Sequence, residues 1–191
     1  MNRILLAALS ATVAAAAMTF GARDAAAQRR ITPFVGGGLA TGTGDLAENT
    51  ESGWLAFAGV DLPLGFNPGL TFGVTASYAR VPYKGGFDEF TGVPALFGEL
   101  GYVLGAESSR IVKPYLRAGA GVQLRKYDPG TTGFREQSDG GLAFSVGGGL
   151  QFAFAPASVF LGARFVSDAD AGVLGFNGGL AFPVHGRGTK R

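Results

Sequence analysis

Nucleophilic catalysis of the Ser–His–acid kind needs an imidazole to take the hydroxyl proton. The chain has one histidine, His185, in a tail beyond its last patterned segment. There is no cysteine, which removes disulfides and thiol chemistry. No H-E-x-x-H run or histidine cluster offers a zinc ligand set, so neither a metal nor another cofactor is expected. The glycine clusters Gly36–Gly38 and Gly147–Gly149 lack the Lys-Ser/Thr and helix start of a phosphate loop. Close strand packing explains them better. Acidic residues gather as Asp45 and Glu48, Asp88 and Glu89, Glu136 and Asp139, Asp168 and Asp170, with no calcium-loop spacing. That leaves Glu99, Arg117 and Arg164, three charges inside otherwise small or apolar segments. Opposite charges so placed can form a charge-assisted network. The chain is not expected to be an enzyme.

The elements that position these charges follow a period of two. In 172–184, Leu174, Phe176, Leu180, Phe182 and Val184 alternate with Val173, Gly175, Asn177, Gly179 and Ala181. Segment 70–78 sets Leu70, Phe72, Val74, Ala76 and Tyr78 against Thr71, Gly73, Thr75 and Ser77. Such alternation marks β-strands. Six more segments qualify: 31–41, 53–62, 93–104, 113–126, 140–154 and about 159–166. In 53–62 large residues fall on both parities, Trp54 and Val60 against Leu55 and Phe57, so its faces stay open. Trp54 suits either an interfacial girdle or ordinary packing.

Composition sets the solvent. Hydrophobic residues make up 47% and charged residues only 16%, below the quarter typical of soluble domains. The small faces carry Thr, Ser, Gln, Glu and Arg, an apolar-out, polar-in pattern that fits a membrane barrel. A soluble secreted barrel with an inward apolar core is the alternative. Eight strands of about ten residues can each cross a bilayer, and the last must pair with the first so that no edge faces lipid. The N-terminus reads as a signal peptide over 1–27: Arg3, an apolar run, then Ala25 and Ala27 fitting the A-x-A cleavage rule. The barrel is expected over 28–184, with a basic periplasmic tail at 185–191. Loss of the signal leaves a net charge near neutral, which gives no case for nucleic acid. From a periplasmic start, outer loops are expected to begin at Gly42, Arg80, Asp128 and Ser167.

The residues 113–124 (KPYLRAGAGVQL), 141–154 (GLAFSVGGGLQFAF) and 175–182 (GFNGGLAF) resemble the small eight-stranded outer-membrane barrels. These are the OmpA transmembrane, OmpX and opacity-type proteins. Asn177, Gly179, Phe182 and Val184 are similar to the C-terminal assembly signal of that family, although a basic tail follows Val184. The resemblance implies an eight-stranded antiparallel up-and-down barrel in the cell outer membrane. Its partners would be outer-membrane lipid, lipopolysaccharide and the barrel-assembly machinery. A structural or surface-exposed role without catalysis is the expected function. The alternatives are an adhesin or ligand binder acting through the outer loops, and a narrow channel. Glu99, Arg117 and Arg164 are expected to form an ion-pair network in the lumen.

Overall fold

Eight strands follow one another around a closed barrel, β1 through β8, with every neighbouring pair antiparallel. The computed structural model describes residues 31–85, 89–128, 137–154, 156–168 and 171–182. The strands are β1 Thr32–Gly44, β2 Gly53–Pro63, β3 Leu70–Pro82, β4 Phe90–Val103, β5 Val112–Asp128, β6 Gln137–Phe154, β7 Ala157–Ser167 and β8 Ala171–Ala181. One short helix, α1 Asp45–Asn49, follows β1. The expected signal segment with Ala25 and Ala27, the tail with Val184 and His185, and Asp88, Glu136 and Asp170 lie outside the described residues.

Closure is by β1 against β8, from Phe34↔Ala181 to Gly44↔Ala171. Register partners run from Thr32 through Asp61, Gly73, Glu99, Gly119, Ser145, Val166 and Val173 back to Gly42 on β1. The shear is therefore 10 residues (42 − 32) around eight strands. With about 3.3 Å per residue and about 4.8 Å between strands, the tilt is about 40° and the radius about 8 Å. Such a barrel is just wide enough for its own side chains to fill.

The outer wall is apolar: Leu39, Leu116, Leu142, Phe144, Leu161 and Phe176 are all more than half exposed. Asp61, Glu99, Arg117 and Arg164 point inward, together with the hydroxyls of Thr75 and Ser145. On β2 the question left open by sequence resolves with Phe57 buried and Trp54 exposed, so Leu55, Phe57 and Asp61 share the inner face. Room for such large residues comes from glycine directly across the ladder. Phe34 faces Gly59 and Phe57 faces Gly36, while Phe160 faces Gly179. A Cβ at Gly36, Gly59 or Gly179 would meet the ring of that phenylalanine at 2.4 Å. The same rule holds for charge: Glu99 lies between Gly73 and Gly119, and Arg117 between Gly101 and Gly147.

At the lower end, where β1 starts and β8 stops, the connections are 64–69, 104–111 and the residues between β6 and β7. Gly105 takes φ 67 in the second, a conformation open to glycine at little cost. At the upper end the strands outlast their expected limits. β1 continues to Gly44, β3 to Pro82, β5 to Asp128, and β6 begins at Gln137. Glycine and polar residues carry the extensions of β1, β5 and β6, because paired backbone above a membrane needs no apolar face, whereas that of β3 places Val81 in a buried apolar cluster. The stretch after Gly42, expected to be an irregular loop, also contains α1. Lys84 holds that helix by donating its Nζ to the carbonyls of Ala47 (3.2 Å) and Glu48 (3.0 Å).

Candidate functional site in the barrel interior

Glu99 is the centre of the interior, 2% exposed on β4. A buried carboxylate needs donors for its lone pairs, or it loses more in desolvation than pairing returns. Here each oxygen meets two donors. Oε1 accepts from Ser145 Oγ at 2.6 Å and lies 2.7 Å from Arg164 Nη2. Oε2 accepts from Thr75 Oγ1 at 2.5 Å and from Arg117 Nη1 at 3.2 Å. Arg117 also donates Nη2 to Asp61 on β2. The chain Asp61–Arg117–Glu99–Arg164 thus joins four strands with two positive and two negative groups.

Register explains the contacts. Arg117 stands opposite Gly101, not Glu99, so its side chain crosses diagonally to reach the carboxylate. Arg164 sits opposite Gly147 on β6, which has no side chain to block its path inward. The two guanidiniums also lie over aromatic rings, Arg117 4.6 Å from the Phe34 centroid and Arg164 5.0 Å from that of Phe97. These distances suit a cation–π contact. Arg164 is the less satisfied member: its Nε has no hydrogen-bond partner, and its approach to Glu99 is an ion pair without hydrogen-bond alignment.

Below the network lies a cavity of about 200 Å³. Phe34, Phe57, Tyr115 and Phe160 form its aromatic wall, and Asp61 and Arg117 its charged roof. Above the network the interior turns apolar. Ala40, Ala79, Val81, Val93 and Val173 pack into one buried layer, with Leu46 of α1 pressed against it. Leu46 thereby ties the helix to the upper edge of that layer. At the upper rim Arg125 pairs with Asp168 at 3.0 Å, and Gln123 Nε2 donates to the same oxygen at 2.7 Å. Tyr127 Oη donates to Glu89 at 3.1 Å.

The structure therefore brings Glu99, Arg117 and Arg164 together inside the barrel and adds Asp61, Thr75 and Ser145, which sequence reading passed over. Asp61 was hidden by its place at a strand end beside the 63–69 turn. Its parity with Phe57 was the available signal. Asn177 and Gly179 lie on the inner face of β8, and Phe182 lies just past it with an exposed ring. Asp45 and Glu48 fall in the first turn of α1. Among the described residues no group of three or more His, Cys, Asp or Glu could hold a metal ion.

No protein-family model matches the sequence, and no curated protein matches it. Solved structures do. Neisserial surface protein A is 13% identical with a TM-score of 0.64, over 81% of this chain and 97% of that one. Ail, the attachment invasion locus protein of Yersinia pestis, is 15% identical with a TM-score of 0.54, over 83% of this chain and 100% of that one. The N-terminal barrel domain of Pseudomonas aeruginosa OprF is 14% identical with a TM-score of 0.51, over 82% and 98%. At such identities the likeness is one of fold: this chain has the architecture of the small eight-stranded outer-membrane barrels.

Proposed function

We propose that the chain is an integral outer-membrane barrel with a structural or surface-exposed role, neither catalysing a reaction nor passing solutes. The observation that carries this reading is the pairing of an apolar outer wall with an interior that the ion-pair network and a buried apolar layer block above its lower cavity. Leucine and phenylalanine exposed around a closed sheet are stable in lipid and a liability in water. Inside, the ion-pair layer and an apolar layer lie in series, so a solute would have to displace both. The lack of a histidine within the strands supports the non-enzymatic reading.

Cell fractionation tests the location: the protein belongs in the outer-membrane fraction and should migrate faster on a gel before heating than after. Planar bilayers test the lumen. The folded barrel should give no steady conductance; a stable unitary current would replace this reading with that of a narrow channel.

A further inference from the structure

The cavity below the ion-pair network is built from two kinds of surface. Thr32, Val103 and Ala181, the end residues of β1, β4 and β8, line it at the lower rim. Asp61 and Arg117 close it above, which makes it a blind pocket. Its aromatic wall centres on Phe160. That ring meets those of Phe34, Phe57 and Tyr115 with centroids 6.4, 5.9 and 6.3 Å apart, at interplanar angles of 83°, 39° and 83°. No pair is stacked flat, so ring surface remains for a further aromatic group. Unpaired polar groups reach the same space. Among the described residues the Tyr115 hydroxyl and the side-chain amides of Gln151 and Asn177 have no hydrogen-bond partner. Asp61 accepts from Arg117 through Oδ2, and its Oδ1 receives no donor.

Size, charge and hydrogen bonding narrow what such a pocket can take. An apolar cavity of about 150 Å³ holds one benzene ring, so a volume of about 200 Å³ suits one ring with a small substituent and is too small for a long acyl chain. Arg117 is balanced by Asp61 and Glu99, and Arg164 by Glu99. The two cations and two anions of the roof cancel, so an ionic guest would enter as an uncompensated buried charge. A carboxylate only accepts, so the group that meets Asp61 Oδ1 has to bring the proton. We infer that the cavity is a binding pocket for a small uncharged single-ring aromatic molecule carrying a hydroxyl or N–H group, which donates to Asp61. The ring lies against Phe34, Phe57 and Phe160, and the guest enters from the lower rim without crossing the barrel. The pocket is inside the sheet, so the proposal stands independently of the membrane and of conductance.

Fluorine NMR tests it. The folded barrel in neutral detergent micelles is titrated with para-fluorophenol, and empty micelles supply the background from partitioning. A saturable shift at one site is expected, reversed by phenol and not by cyclohexanol. Fluorobenzene, which has the ring without the donor, should bind about ten-fold more weakly. Asp61→Asn should weaken para-fluorophenol by a similar factor, and Gln151→Phe, which fills the cavity, should abolish the shift. Ser77→Ala, on the inner face above the network, should bind as the parent does. Gel mobility before heating shows which variants are folded, and the parent titrations decide the matter even if a variant does not fold. A parent signal that only follows the empty micelles overturns the pocket. Equal binding of fluorobenzene overturns the role of Asp61, and equal displacement by cyclohexanol overturns the aromatic specificity. A folded Gln151→Phe variant that still binds puts the probe elsewhere and overturns the assignment.

Discussion

Replacing Glu99 with alanine removes the one group that holds Arg164 and Arg117 together, and the geometry predicts an unequal effect on the two. Arg117 keeps Asp61 as a partner. Arg164 has no other carboxylate among the described pairs, and its side chain is only 13% exposed. Removing one partner of a buried pair costs about 3–5 kcal/mol. The cavity that Arg164 helps to line admits water and lowers this to about 2–4 kcal/mol for Glu99→Ala. Arg117→Ala strands Asp61, which is 16% exposed and faces the cavity, so about 1–3 kcal/mol is expected. The sharper quantity is coupling. The Glu99/Arg164 cycle should give about 2 kcal/mol and the Glu99/Arg117 cycle less than about 1 kcal/mol, since Asp61 compensates only the second. Urea unfolding of the parent, the single variants and both double variants in one lipid, with the folded fraction read by gel mobility, measures all terms. Additivity within about 0.5 kcal/mol in both cycles, or the reverse order, would refute the reasoning.

Other outcomes follow from the walls of the barrel. Val146→Arg, outward and near the middle of β6, should cost about 2–4 kcal/mol in lipid, and Leu150→Arg, nearer the lower edge, clearly less; urea midpoints compare them. Gly121→Ala should destabilise by about 1–3 kcal/mol, because its Cβ would lie 2.0 Å from the Leu96 carbonyl oxygen. Gly141→Ala has open space at the same face and should change stability by under about 0.5 kcal/mol. In planar bilayers the Glu99→Ala/Arg117→Ala variant should stay silent, since the Ala40–Val81–Val173 layer remains above the vacated site. Conductance from that variant alone would show that the apolar layer does not seal.

Strand number and the facing of most strands were legible because a period of two survives in the sequence wherever lipid meets one side. β2 was not, since Leu55 and Phe57 are as large as the residues facing lipid. What gives them room inside is Gly36 across the ladder from Phe57 and Gly175 on β8 beside the tip of Leu55, and such slots are invisible until the register is known. The helix at Asp45–Asn49 was missed for a similar reason: five residues have little helical tendency alone, and Leu46 packing and Lys84 donation come from elsewhere in the chain. Glu99, Arg117 and Arg164 stood out as charges amid small residues. Their order of contact did not, because the diagonal from Arg117 to Glu99 depends on a shear no local pattern encodes.

The seam between β1 and β8 has a consequence for how the protein comes into being. It joins the first and last strands, contacts that span almost the whole described chain. Loop-closure entropy opposes such a contact until the other seven pairings shorten the effective loop. The seam is therefore the last ladder to zip, and until it does both edges stand open in a medium that cannot hydrate them. A partly assembled sheet has no resting place in lipid. Once zipped, no strand can peel away singly without exposing two new edges, so loss of the native state has to be concerted and slow. A nick in an upper connection would leave all eight ladders intact. Removal of either terminal strand would not shorten the barrel but abolish it.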